Sequence, residues 1–193
     1  MKKRFGIDID GTITRPDTMV PYLNKAFNMA LTYEEINTYD LNPFVDVSPS
    51  EFAAWFHDSE PMIYSESLLV DGARECLEKF EQYADLYFIS ARRKDLIDVT
   101  ETWFSTNELR YHQIDLIGSH DKIAMAKKLK IDLFFEDKHD NAVTISEECQ
   151  IPVILFNTPY NLGPVPEQVI RVNHWFEARR WVENWLKDTK MPE

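Results

Sequence analysis

Two carboxylates two residues apart, Asp8 and Asp10, stand where an apolar run gives way to a glycine turn, in Phe5-Gly6-Ile7-Asp8-Ile9-Asp10-Gly11-Thr12-Ile13-Thr14. Side chains of an extended chain repeat every two residues, so both acids are aimed the same way at the end of a strand. Burying an acid in an apolar strand is costly unless it is paired, hydrogen-bonded or bound to a metal. The plainer reading makes Asp10-Gly11 a turn and Asp8 incidental; the chemical one gives the buried acids a partner or a metal at the carboxyl edge of a sheet. Three further runs end in reactive groups. Leu86-Tyr87-Phe88-Ile89-Ser90-Ala91-Arg92-Arg93 delivers a hydroxyl and then the amides of Ala91 and Arg92, a set that can hold phosphate oxygens, although Ser after a strand also serves as a helix N-cap. Lys122, in Ser119-His120-Asp121-Lys122, falls in what reads as a first helical turn. There it opposes the helix dipole by roughly a few tenths of a kcal/mol, which hints at an anion partner, with a surface lysine as the alternative. Leu133-Phe134-Phe135-Glu136-Asp137 ends in adjacent acids, oxygen ligands of the kind Mg²⁺ accepts, while Asp140 and Asn141 read as caps of the following helix.

These groups need strand ends brought to one edge. Short apolar runs at Arg4 to Ile9, Leu86 to Ser90, Ile114 to Gly118, Leu133 to Glu136, Val153 to Phe156 and Val169 to Val172 alternate with helical patterns, as strand-helix units of a parallel sheet do. The helices are expected at Ala73 to Tyr83, Lys94 to Glu108, Lys122 to Leu129, Asn141 to Cys149 and Trp175 to Lys187. In the last, Ala178, Val182 and Trp185 recur at helical spacing and read as core packing. Residues 14–67 break the alternation: they hold prolines and aromatics, helical patterns near Val20 to Leu31 and Ser50 to Phe56, and no convincing strand. A stretch so long is not a connecting loop. The expected fold is therefore a three-layer, Rossmann-like α/β parallel sheet, residues 1–13 and 68–193, with a small helical cap, residues 14–67, inserted after the first strand.

Composition limits the partners. With 21 Lys plus Arg against 33 Asp plus Glu, the net charge of −12 repels nucleic-acid polymers and anionic membranes. No apolar run approaches the roughly 18 residues of a membrane span, and the basic N-terminus meets an acid too soon for a signal peptide. Cys76 and Cys149 stand in unrelated contexts that suggest neither a disulfide framework nor a metal knuckle, so the cytoplasm is the expected compartment.

Together the four motifs resemble the haloacid dehalogenase superfamily of phosphoryl-transfer enzymes: Asp8-x-Asp10-Gly11-Thr12 is similar to its first motif, Ser90 to its second, Lys122 to its third and Glu136-Asp137 to its fourth. The cap placed after the first strand, Ile89-Ser90-Ala91-Arg92 and the paired acids are similar, more narrowly, to the 5′(3′)-deoxyribonucleotidase family, although Glu136 stands where many relatives carry Asp. The resemblance implies a Mg²⁺-dependent phosphomonoester hydrolase acting through an aspartyl phosphate on Asp8, with Asp10 as acid and base. It implies a metal site drawn from Asp8, Asp10 through its carbonyl, Asp137 and Glu136, and phosphate contacts from Thr12, Ser90, Ala91, Arg92 and Lys122. Cationic help is needed, because two unit charges 4 Å apart repel by about 4 kcal/mol at an effective dielectric near 20. The implied substrate is a small phosphomonoester, a (deoxy)nucleoside monophosphate, and a homodimer is compatible with it. Sugar-phosphate hydrolysis, a phospho-acceptor signalling domain and a non-catalytic nucleotide-binding relative are the competing readings. Phe44, Trp55, Phe56 and Tyr64 could offer a base a stacking face, but most are expected to fill the insertion's own core.

Overall fold

The computed structural model describes residues 2–119 and 121–188; the ends of the two sheet-forming stretches, residues 1 and 189–193, and His120 within the third motif lie outside them. Six parallel strands form one sheet in the order β3-β2-β1-β4-β5-β6. They are β1 (Lys3–Ile7), β2 (Ala84–Ser90), β3 (Gln113–Leu116), β4 (Leu133–Glu136), β5 (Val153–Phe156) and β6 (Val169–Val172). A parallel sheet is covered on both faces, which is why β4 and β5 read as unbroken apolar runs and are buried at every residue. The ladder of β1 stops two residues before the expected Ile9, yet the Asp8 amide still donates to the Phe135 carbonyl at 3.0 Å. The sheet thus grips the backbone at the first acid.

Among the described residues seven α-helices surround or overhang the sheet: α1 (Val20–Phe27), α2 (Pro49–Glu66), α3 (Ala73–Phe80), α4 (Ile97–Thr106), α5 (Ile123–Leu129), α6 (His139–Cys149) and α7 (Trp175–Asp188). One core layer gathers Phe5, Ile7, Phe80, Phe88, Phe104, Phe135 and Trp175 with Ala178 and Val182 of α7, so the tryptophan stripe is packing. The other lies under α5 and α6, around Ile89, Phe134, Ile145 and Leu155. Gly6 on β1 faces that side, where an added Cβ would come within 2.4 Å of the Phe134 ring.

Between β1 and α3 the described chain is helical and irregular. Its two ends are tied together: Arg15 N donates to Leu68 O and Val70 N to Ile13 O, both at 2.9 Å, around an isolated antiparallel bridge between Thr14 and Leu69. α1 stops before the expected Leu31 because Asn28 takes a left-handed conformation with φ of 52°. α2 runs beyond the expected Phe56, through Pro61, to Glu66. The polar run His57-Asp58-Ser59-Glu60 hides its periodicity, while buried Ile63 and Tyr64 hold the far turn against the main core despite the hydrogen bond Pro61 forfeits. Leu23, Val45 and Phe52 form a separate small core with Trp55 and Phe27 packed on it. Among the described residues no helix is long and apolar enough to cross a membrane.

Candidate functional site

In a sheet of this order the sequence in which strands are added switches sides between β1 and β4, and the crevice beyond their carboxyl ends is where such folds bind ligands. Asp8 follows β1 and Asp137 follows β4, side by side across that crevice. Asp8, Glu136 and Asp137 are buried, and one oxygen from each lies within 4.8 Å of the others. Lys122, the residue preceding α5 and only 2% exposed, places Nζ 2.6 Å from Asp8 Oδ1 and 2.8 Å from Glu136 Oε1. It is not a surface lysine. Burial opposes its charge, but the two carboxylates more than offset this and raise its pKa.

Glu136 is saturated. Its Oε1 also accepts from Asn141 Nδ2 at 2.7 Å, and Oε2 accepts from the amides of Asp137 and Lys138 at 2.9 and 3.2 Å. Burial pushes its pKa up, yet Lys122 and these donors bring it below the ordinary value. Asn141, expected to cap a helix, instead steadies this carboxylate. Glu136 therefore sits as the anchor of Lys122, with no oxygen left without a partner.

Asp137 differs. Tyr160, in the loop after β5, donates its hydroxyl to Oδ2 at 2.5 Å, whereas Oδ1 is buried with no partner among the described residues. Burial, then the charges of Glu136 and Asp8, hold its carboxyl well above the usual range. Asp8 is likewise pushed up to about 7 by burial, with Lys122 pulling it down. Asp8 and Glu136 share one lysine, and the neighbouring Asp137 keeps a buried oxygen with no partner among the described residues; this donor set fits a hard divalent cation such as Mg²⁺. Gly11, at φ of 80°, is required beside it, since a Cβ there would fall 2.3 Å from Asp137 Oδ2. Asn161 fixes the Tyr160 loop by donating to the carbonyls of Asp137 and Phe156 at 2.6 and 2.7 Å.

Asp10 does not join that group. Its carboxylate turns to Arg92, accepting from Nε at 2.9 Å and from Nη2 at 2.8 Å. Arg92, expected at the phosphate, has its third nitrogen, Nη1, donating to Thr100 Oγ1 at 3.0 Å and its guanidinium 3.9 Å above the Tyr64 ring. Ser90 Oγ accepts the Arg92 amide at 3.1 Å and lies 3.5 Å from Asp10 Oδ2, a long contact. The Thr12 hydroxyl is buried without a partner among the described residues, and the Thr12 carbonyl accepts from Trp175 Nε1 at 3.0 Å. Thr14 closes the turn: its Oγ1 accepts from the Gly11 amide and donates to the Ile9 carbonyl.

A cavity of about 450 Å³ opens between this edge and residues 14–67. Asp10, Gly11, Ala91, Arg92 and Asp137 form its floor; Tyr39, Phe52, Phe56, Tyr64 and Tyr160 supply aromatic wall. Trp55 joins the small core as expected, Phe56 and Tyr64 face the cavity, and Phe44 is half-buried outside its lining. Tyr160, Asn161 and Thr14 were missed in the sequence because a tyrosine in a Pro- and Asn-rich loop and a threonine in a turn carry no spacing signal.

Residues 3–187 match the family described as 5′ nucleotidase, deoxy (pyrimidine), cytosolic type C protein. A candidate nucleotidase of Halalkalibacterium halodurans is 48% identical over 96% of this chain and 95% of its own. A nucleotidase of Clostridium acetobutylicum is 30% identical over 89% of each chain. Among solved structures, a haloacid dehalogenase-like hydrolase of Streptococcus pneumoniae superposes with a TM-score of 0.65 at 14% identity, over 94% of this chain and 98% of its own. A magnesium-bound candidate HAD-hydrolase of Bacillus subtilis gives 0.63 at 14% identity, over 94% and 99%. At such identities the likeness shows the fold.

Proposed function

This chain belongs to the 5′ nucleotidase, deoxy (pyrimidine), cytosolic type C family, and from that premise we propose that it hydrolyses nucleoside monophosphates with Asp8 as nucleophile and Asp10 as acid and base. The observation that carries the reading is the buried cluster of Asp8, Glu136 and Asp137, the first two paired to Lys122, with Asp137 Oδ1 unpartnered among the described residues. Mg²⁺ held by Asp8, Asp137 and the Asp10 carbonyl would supply positive charge that neutralises the phosphoryl oxygens.

Asp8 attacks phosphorus, forming an Oδ–P bond as the bond to the ester oxygen breaks, and Asp10 gives that oxygen a proton. Asp10 then takes a proton from the water that attacks the aspartyl phosphate, freeing inorganic phosphate and restoring Asp8. Lys122 holds Asp8 in place and offsets phosphate charge, while Glu136 and Asn141 keep the lysine there. The hydroxyls of Ser90 and Thr12 and the amide of Ala91 receive the transferring oxygens, since the Arg92 amide is already spent on Ser90 Oγ. Residues 14–67 act as a cap over a core of residues 1–13 and 68–193, and the cavity between them is of a size that suits a nucleoside.

The test is a panel of 5′- and 3′-nucleotides, deoxy and ribo, beside sugar phosphates, assayed after chelation with and without added Mg²⁺. Nucleotide turnover restored by Mg²⁺ is expected. Fast sugar-phosphate cleavage beside negligible nucleotide cleavage would overturn the substrate class, and undiminished turnover in chelator would overturn the metal.

A further inference from the structure

Arg92 and Arg93 stand just beyond β2, after Ala91, and both reach residues 14–67. Arg93 Nε pairs with Glu60 Oε2 at 2.9 Å; Tyr64, one helical turn further along α2, donates its hydroxyl to Glu60 Oε1 at 3.2 Å. The Arg92 guanidinium carbon lies over the Tyr64 ring, 3.9 Å from its centroid. Arg92 is 2% exposed, yet every one of its side-chain nitrogens has a partner, and two of the three bonds converge on the two oxygens of Asp10. A fork of parallel N–H donors fixes the plane of a carboxylate as well as its position, which a lysine ammonium does not. Among the described residues Asp10 has only the long Ser90 contact besides, and its side chain is 35% exposed at the cavity floor, so nothing else shown there fixes its plane.

We propose that Arg92, seated on Tyr64, is the positioning residue of the acid-base step: it orients the Asp10 carboxylate toward the leaving oxygen, and residues 14–67 set that orientation through α2. The assignment rests on the reading of Asp10 given under Proposed function. It separates Arg92 from the phosphate-holding groups and makes the cap a part of proton transfer as well as of substrate enclosure. Contact between Arg92 and substrate is not needed for the effect.

The proton matters only when the leaving group needs one. An alkoxide leaving from a nucleoside 5′-monophosphate does; the stabilised phenolate leaving from 4-nitrophenyl phosphate does not. The experiment therefore measures phosphoenzyme formation in single turnovers from both esters, in wild type, Arg92→Lys, Asp10→Asn and the double variant. Arg92→Lys is expected to slow phosphorylation by the nucleotide about 10- to 100-fold while changing the nitrophenyl ester about 3-fold or less. Added to Asp10→Asn it should cost no more than about 2-fold, because both substitutions remove the same function. Tyr64→Leu leaves all three Arg92 bonds available, and should give a smaller version of the same ester-dependent loss; it decides the question if Arg92→Lys does not fold. Equal losses with both esters, or additive losses in the double variant, would overturn the inference and leave Arg92 as packing or as a phosphate contact. Absence of any phosphoenzyme in wild type would overturn the nucleophile reading beneath it instead.

Discussion

The two acids of the first motif, two residues apart in sequence, live in different regions. Asp8 is buried, paired to Lys122, and held by groups that come only from sheet ends and the helix starts beside them. Asp10 is partly exposed, paired to Arg92, and reaches through Tyr64 and Glu60 to α2 in the insertion. The first region is a charge array whose members constrain one another where they are buried, and there electrostatic pairs are strong. The second joins two parts of the molecule, so its geometry depends on how the insertion sits. The difference matches the work proposed for each: a nucleophile must be held still, whereas a group that donates a proton and later takes one back serves two states of the site.

Breaking the first region should have the largest effect. Asp8→Asn removes the oxygen nucleophile and is expected to lower turnover on the order of 10⁴-fold or more and abolish acid-labile phosphoenzyme, since groups that form the covalent intermediate are the costliest to lose. Mg²⁺-dependent hydrolysis surviving in that variant would end the mechanism. Asp10→Asn, in the second region, is expected to cost about 10²- to 10⁴-fold in turnover. The signature is different: phosphoenzyme forms slowly and then persists, visible as retained label after quenching. A variant that loses turnover without retaining label would merge the two regions again. The smallest effect belongs to a residue that touches neither nucleophile nor acid. Tyr160→Phe removes the hydroxyl donor to Asp137 and should weaken Mg²⁺ about 10- to 100-fold, as loss of partners to a ligating carboxylate does. Calorimetric titration of Mg²⁺ into the substrate-free protein measures this, and unchanged affinity would show that Asp137 is oriented by Gly11 and Asn161 alone.

The strands of the sheet and the acids at their ends were legible in the sequence, because a parallel sheet buried on both faces demands unbroken apolar runs and an ionised group at the end of one stands out. β4, β5 and β6 have the ends expected of them, and Lys122 lies beside both carboxylates as its place in the motif order implied. The length of α2 was not legible, since its exposed polar face interrupts the periodicity and Pro61 reads as a stop, although packing of Ile63 and Tyr64 overrides both. Arg92 was legible as important but not in its direction. A guanidinium after a strand can turn toward a ligand or back into the protein, and the choice was made by Tyr64, Thr100 and Asp10, which lie far from one another along the chain. Local sequence thus determined which chemical groups arrive at the edge of the sheet, because burial and strand periodicity act over a few residues. Which of those groups hold one another, and which are left open, was decided by contacts between distant segments, because hydrogen bonds and ion pairs form only where the fold brings their partners within about 3 Å.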